Sequence, residues 1–236
     1  MVFFLSAFIV LIASVLQAAT GFGFSILALP LLLLIHPPLI AVELNLILSV
    51  FLCGLMLRTV RRDIDIPLLK RLIPGSIFGA PIGLAVLMTV DERVFRVSIA
   101  FLTLAFLLLL MRHLTFKRSP YRDYGCGLLA GGFTSAVGMG GIPLLLYFAA
   151  AKVPKAVVRA TAVAFFLFIY FFALILQLMV SNHDFPIIWF SLGLLPISFC
   201  GVKIGQWLYT YLSQRTFTVC IYGVLIANSL LLVFLP

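Results

Sequence analysis

The chain has 236 residues, of which 64% are hydrophobic and only 10% charged, with a mean hydropathy of +1.27. A soluble domain carries about a quarter of its residues as charged side chains, so a water-soluble globule is excluded. The net charge of +9 does not mark a nucleic-acid binder, because the Lys and Arg residues lie in short loops between apolar runs, where they act as topology signals.

In chain order the apolar stretches run over about 2–35, 39–57, 66–90, 94–112, 124–150, 160–181, 186–211 and 216–235. The N-terminus has no charged n-region and reads as the first membrane segment, not a removable signal. As one straight helix, residues 2–35 would be roughly 51 Å long, against a hydrocarbon core of about 30 Å. Both this stretch and 124–150 are interrupted by glycines: Thr20-Gly21-Phe22-Gly23 in the first, and Gly138-Met139-Gly140-Gly141 followed by Pro143 in the second. Glycine and proline weaken helix interiors, so each stretch is expected to be two short helices joined by a turn inside the membrane. Cys53, Cys126, Cys200 and Cys220 all fall in apolar segments with no CxxC pair and read as packing residues.

The chain repeats itself. A shift of 122 residues pairs Pro74 with Pro196, Ser76 with Ser198, Gly79 with Gly201, Ile82 with Ile204, Gly83 with Gly205, Arg93 with Arg215 and Phe95 with Phe217. Earlier in each half the shift is 116 to 117 and pairs Gly21 with Gly138, Gly23 with Gly140 and Pro38 with Pro154. The expected organisation is one membrane transporter domain over 1–236, with repeat 1 at about 1–112, repeat 2 at about 124–236 and a cytoplasmic linker at 113–123.

Charge orients the halves. Arg58, Arg61, Arg62, Lys70, Arg71, Arg112, Lys117, Arg118 and Arg122 cluster in loops expected to be cytoplasmic. An inverted second half adds Lys152, Lys155, Arg159 and Arg215 to that side, leaving only Arg93 and Arg96 outside and Lys203 within a helix. The expected fold is therefore an all-α polytopic membrane protein of two inverted repeats. Each has a glycine-broken segment, re-entrant or two short spans, followed by three transmembrane helices. Both termini are then non-cytoplasmic.

In an inverted pair the two turns approach the midplane from opposite faces, and the helices beginning near Phe24 and Ile142 point their N-termini inward. Helix N-termini carry unpaired N–H groups and partial positive charge, which suit an anion. The candidate substrate-binding set is Thr20, Gly21, Gly23, Ser25, Thr134, Ser135, Gly138, Gly140 and Gly141: glycines for close backbone approach, hydroxyls as donors. The competing reading is that the glycines only let helices pack closely.

The paired glycine turns, Pro30 and Pro143 after them, Arg159-Ala160-Thr161 and the P-x4-G-x3-G repeats resemble the sulfite exporter TauE/SafE family over nearly the whole chain. The first turn departs from the family's fuller glycine run, with Phe24-Ser25 where further glycines are common. The resemblance implies a multi-pass protein of the cell membrane (the inner membrane in a bacterium) that moves sulfite or another small, sulfur-containing anion.

Among the remaining polar residues, Lys203 lies inside an apolar segment and is either an anion partner or a lysine snorkelling to the interface. Glu43 and Arg159 are repeat mates of opposite charge, and Asn45 and Thr161 are repeat mates. These four are candidates for coupling or gating, with a proton or sodium ion as the coupling ion. Gln17 and Gln177 are membrane-embedded amides suited to interhelical hydrogen bonds. No metal-ligand spacing, Ser/His/Asp set or nucleotide motif appears, so no cofactor or enzyme activity is expected. The resulting reading is a secondary transporter of a small anion in the lipid bilayer. A passive anion channel and a membrane enzyme are the alternatives, and homo-oligomerisation is left open.

Overall fold

In the computed structural model the described residues are 2–91, 118–151, 153–180 and 185–211, with isolated positions between 94 and 109 and residue 223. They form helices: α1 (Val2–Thr20), α2 (Phe24–Leu32), α3 (Pro38–Val60), α4 (Ile66–Thr89), α5 (Pro120–Val137), α6 (Gly141–Ala150), α7 (Lys155–Val180) and α8 (Phe185–Tyr209), with a 3-10 turn at Arg61–Asp63. Among the described residues five stretches are long and apolar enough to cross a membrane: Val2–Thr20, Pro38–Asp63, Ile66–Thr89, Lys155–Val180 and Ile187–Tyr209. Large apolar side chains such as Phe4, Phe78, Met179, Trp189 and Trp207 are exposed on the outside of the bundle, where lipid replaces water as the solvent. The protein is an all-helical, multi-pass membrane protein. The stretches expected at 94–112 and 216–235 lie mostly outside the described residues, as does the C-terminus.

Local chemistry sets the helix ends. Asp65 caps α4, its carboxylate accepting the Leu68 N–H at 2.9 Å. Ser119 accepts the Arg122 N–H at 3.4 Å, and Pro120 occupies the first position of α5. Tyr121–Asp123, assigned by sequence to the linker, are therefore the first turn of α5. Asp123 is fully buried there, accepting from Arg71 Nη1 at 3.0 Å and from the Tyr147 hydroxyl.

Two glycine-faced helix pairs frame the bundle. A Cβ on Gly75, Gly79 or Gly83 of α4 would fall on the carbonyl oxygens of Tyr124, Leu128 and Gly132 of α5. The contacts advance together, so α4 and α5 run parallel with their backbones touching. In the other pair, Gly201 of α8 faces Ser14 Cβ at 2.6 Å and Gly205 faces Ala18 Cβ at 2.7 Å, distances measured from the missing Cβ. Phe3 meets Phe190 about three turns earlier on both, so α8 and α1 are also parallel. This is small-residue packing, which drives helix association where no hydrophobic effect operates between helices.

Between these pairs the chain folds back twice. α1 runs in and α2 returns, bringing His36 Nε2 to 3.2 Å from Ser6 Oγ. α5 runs in and α6 returns, bringing Tyr147 to Asp123 and the Pro143 carbonyl to 4.0 Å from Cys126 Sγ. The two hairpins open toward opposite ends. Arg71–Asp123 at 3.0 Å, Arg118–Asp65 at 2.9 Å and Asp65 N–H to Thr161 Oγ1 at 2.9 Å gather the starts of α4, α5 and α7 at one end. Arg58, Arg61, Arg62 and Lys155 lie at that same end. Burial pushes the Asp65 carboxyl up, but the Leu68 N–H and the Arg118 guanidinium outweigh it and hold the group below its ordinary value.

Contact between backbones makes a sharp contrast testable. Gly79→Leu is expected to cost at least about 3 kcal/mol, because no rotamer escapes the Leu128 carbonyl. Gly125, on the open face of α5 with nothing within 4 Å of its missing Cβ, should stabilise by about 0.5–1 kcal/mol as Gly125→Ala. Thermal melting of the purified protein in detergent reads both.

Candidate functional site

The tip of each hairpin is a glycine turn buried in the bundle. Gly21 (φ 82°) and Gly23 (φ 108°) form the first, and Gly138 (φ 65°) ends α5 at the second. These left-handed values are where a side chain is strained. Gly140 has φ −59°, so its glycine is required by space. Its missing Cβ would land on Thr134 Oγ1, and 2.5 Å from the Ala130 carbonyl.

Each tip is gripped by the helix that follows the other hairpin. Gly21 lies against α7, its missing Cβ 2.8 Å from Arg159 Cα and Cγ. Arg159 Nη2 donates to the Ala18 carbonyl at 2.6 Å, in the last turn of α1, where carbonyls lack helical partners and the dipole is negative. Gly138 lies against α3, its missing Cβ 2.6 Å from Asn45 Nδ2. Asn45 Nδ2 donates to the Gly138 carbonyl at 3.3 Å and to Ser25 Oγ at 3.1 Å. One buried amide thus joins the return helix of the first hairpin to the tip of the second. Tyr170 OH lies 3.0 Å from the same Ser25 Oγ. An aromatic wall continues from it: Phe166 stacks on Tyr170 at 5.3 Å, and Phe22, at the first tip, meets Phe166 edge-on at 5.5 Å and Phe148 at 6.1 Å.

Most of the expected hydroxyl donors are already engaged. Thr20 Oγ1 donates to the Leu16 carbonyl at 2.8 Å and bridges the backbone of Phe22. Thr134 Oγ1 donates to the Ala130 carbonyl at 2.7 Å. Ser25 is held by Asn45 and Tyr170. Ser135 differs: its Oγ is buried and finds no hydrogen-bond partner among the described residues, as is also true of Asn45 Oδ1 and Ser49 Oγ. Ser49 stands one turn beyond Asn45 on the same face of α3, and Ser135 one turn before Gly138.

The helix N-termini are partly occupied too. Gln17 Oε1 accepts the Phe24 N–H at 3.1 Å while its Nε2 donates to the Gly21 carbonyl at 3.3 Å, so this amide caps α2 from within its own hairpin. In α6, Ile142 N–H donates to the Met139 carbonyl at 3.3 Å and Pro143 has no N–H. Gly141 is the roomiest glycine of the second turn, its missing Cβ no closer than 3.4 Å, to Phe166 Cζ.

The remaining expected residues are dispersed. Lys203 is exposed on α8, its Nζ 5.4 Å over the Phe199 ring. It faces outward from the bundle, away from both tips, as a snorkelling lysine does. Glu43 and Arg159 are both buried, at 3% and 5% exposure. Thr161 serves the end loop through Asp65, so the mates Asn45 and Thr161 do different work. Sequence reasoning missed Tyr170 and Ser49 and gave Gln17 only a general packing role. Tyr170 is a phenol in the middle of an apolar run, and Ser49 sits four residues from Asn45; both signals were available.

The family model described as Sulfite exporter TauE/SafE matches residues 6–232 of the chain. No curated protein and no solved structure matches it.

Asn45 supports the contact between the hairpins, and its removal strands a buried carbonyl. Asn45→Ala is expected to cost about 1–3 kcal/mol, and Ser25→Ala, which spares the Gly138 bond, about 0.5–1.5 kcal/mol. Equal losses in detergent melting would mean that the Asn45–Gly138 bond contributes nothing.

Proposed function

The chain belongs to the sulfite exporter TauE/SafE family, a family of membrane transporters of sulfite or related small anions, and from that premise we propose a secondary transporter working by alternating access, and not an enzyme. The substrate is sulfite, a sulfonate or another sulfur-containing oxyanion, bound between the hairpin tips. The observation that carries the reading is the crosswise grip: each tip is held by the helix after the other hairpin, so that moving one hairpin must disturb the other. The same crosswise contact supports two inverted repeats within a single transporter domain. The hairpins then open to opposite faces, the basic end lies in the cytoplasm, and both termini lie outside the cytoplasm, at the inner membrane in a bacterium.

Within this site the uncommitted groups receive the ligand. Ser135 and Ser49 hydroxyls donate to the anion, with the backbone N–H groups of Gly23, Gly140 and Gly141 beside them; those of Gly21 and Gly138 already donate to the Gln17 and Thr134 carbonyls at 2.7 and 2.8 Å. Asn45 Oδ1 can only accept, so the ligand or an accompanying water presents it a proton. Thr20, Thr134 and Ser25 shape the tips and leave the direct contact to others. Glu43 is the candidate carrier of a coupling proton; sodium is the other ion to be tested.

Two measurements check this reading. Proteoliposomes are expected to show saturable counterflow of sulfite; flux without counterflow is the signature of a passive channel and overturns alternating access. Ser135→Ala removes a buried hydroxyl that has no protein partner, so the fold should be unchanged or slightly more stable. Substrate affinity should nevertheless fall about tenfold, the value of one hydrogen bond to a charged ligand. A Ser135→Ala protein with normal affinity removes this hydroxyl from the site. Gly140→Val is a poor probe, because its side chain collides with Thr134 whatever the glycine does for a ligand.

A further inference from the structure

A cavity of about 260 Å³ opens at the basic end of the bundle, between the end of α3, the start of α7 and the end of α8. Its polar lining comes from Thr59, Asp63, Arg159, Gln206, Tyr209 and Thr210. At about 30 Å³ per water, it holds roughly eight waters or a small hydrated ion. Gln206 Nε2 donates to Thr59 Oγ1 at 3.4 Å across the cavity wall. The Arg159 guanidinium lies 4.1 Å from the centroid of the Tyr209 ring, and Lys155 Nζ lies 5.4 Å from the same centroid.

Arg159 gives the cavity its meaning. The residue is 5% exposed, and its Nε is buried with no hydrogen-bond partner among the described residues. A buried guanidinium with an idle donor is costly unless something pairs with it. The same side chain forms the partition between the cavity and the first hairpin tip, since its Cα and Cγ pack against Gly21 and its Nη2 holds the Ala18 carbonyl. Among the lining residues Arg159 is the cation and Asp63 the carboxylate, and Arg58, Arg61, Arg62 and Lys155 belong to the same end of the bundle. An excess of basic residues at one end of the bundle raises the local concentration of anions there.

We propose that this cavity is an inner docking site for the transported oxyanion, with Arg159 as both its ligand and the partition it must displace. The anion offers the guanidinium oxygens in place of the Ala18 carbonyl, with Gln206 and Thr59 supplying further donors. Replacing that carbonyl loosens the grip of α7 on the first tip, so arrival of substrate and release of the tip are the same event. Asp63 opposes occupancy and keeps the cavity from filling with adventitious anions. The inference rests on the transport reading for its purpose, but the docking site can be measured alone.

The experiment is equilibrium binding of radiolabelled sulfite to the purified, delipidated protein, paired with counterflow in proteoliposomes. Gln206→Leu and Thr59→Val, both at the cavity wall and away from the tips, are expected to weaken sulfite binding about tenfold, alone or together. Asp63→Asn should tighten it about twofold to fivefold. Arg159→Gln tests the ligand directly but removes the Ala18 bond as well, so the other three variants carry the result. Unchanged binding in all three overturns the proposal. A lipid headgroup presents similar chemistry. Phosphatidylglycerol added back should leave sulfite affinity unaltered; if it displaces sulfite, and Gln206→Leu abolishes that displacement, the cavity is a lipid site and the proposal fails. Wild-type protein that shows no counterflow, yet binds sulfite in a Gln206-dependent way, refutes the alternating-access reading and leaves the docking site standing.

Discussion

A helix broken inside a membrane leaves backbone groups that water cannot reach, and everything at the centre of this bundle follows from satisfying them. Hydrocarbon offers no hydrogen bonds, so non-helical backbone at depth must be paired by protein. Here the pairing is done by side chains at three points. Gln17 caps α2 and holds the Gly21 carbonyl. Asn45 takes the Gly138 carbonyl, and Arg159 takes that of Ala18. Two of the three come from the opposite half of the chain, so neither hairpin is complete without the other.

Glycine performs two separate tasks around that centre. At Gly21, Gly23 and Gly138 it permits backbone angles that other residues resist. At Gly75, Gly79, Gly83, Gly201 and Gly205 it permits contact between helix backbones, with ordinary helical angles. The second group fastens α4 to α5 and α8 to α1, the first arm of each hairpin. The fixed arm is therefore clamped along its length, while the return helices α2 and α6 are short and held mainly by side chains. If part of each hairpin moves, the return helix has the weaker restraints.

Much of this was legible in the chain and some was not, for physical reasons. The overlong first stretch and its glycines revealed the break at residues 21–23 because length and helix propensity are local properties. The P-x4-G-x3-G spacing was visible in both α4 and α8, and its function in backbone contact follows from residue size alone. The hydroxyls were harder. Thr20, Ser25 and Thr134 look alike in sequence, yet Thr20 and Thr134 bond back to carbonyls one turn earlier, as such residues do in helices. Ser25 is claimed by Tyr170, 145 residues away. Of the four expected hydroxyls Ser135 alone finds no partner among the described residues, and no local rule distinguishes it. Lys203 shows the opposite limit: a cation within an apolar run has two stable solutions, inward pairing or outward snorkelling, and only the rotational position of α8 selects between them.

The two grips differ in kind, and the difference has consequences for the proposed cycle, in which they release in turn. Arg159 makes a charge-assisted bond to a carbonyl at the negative end of α1, whereas Asn45 makes neutral bonds to Gly138 and Ser25. Bonds of the first kind contribute about 1.5–3 kcal/mol and of the second about 0.5–1.5. Equal motion at both ends would then carry unequal cost, with the basic end the harder to open unaided. A neutral ligand would leave that inequality in place. An anion changes it selectively, because it competes for the guanidinium and has no comparable hold on an amide donor already shared between two acceptors. In the proposed cycle the stronger grip is thus the one that the substrate's own charge can loosen, and the weaker is left to release when the first hairpin, tied to it through Ser25, has shifted.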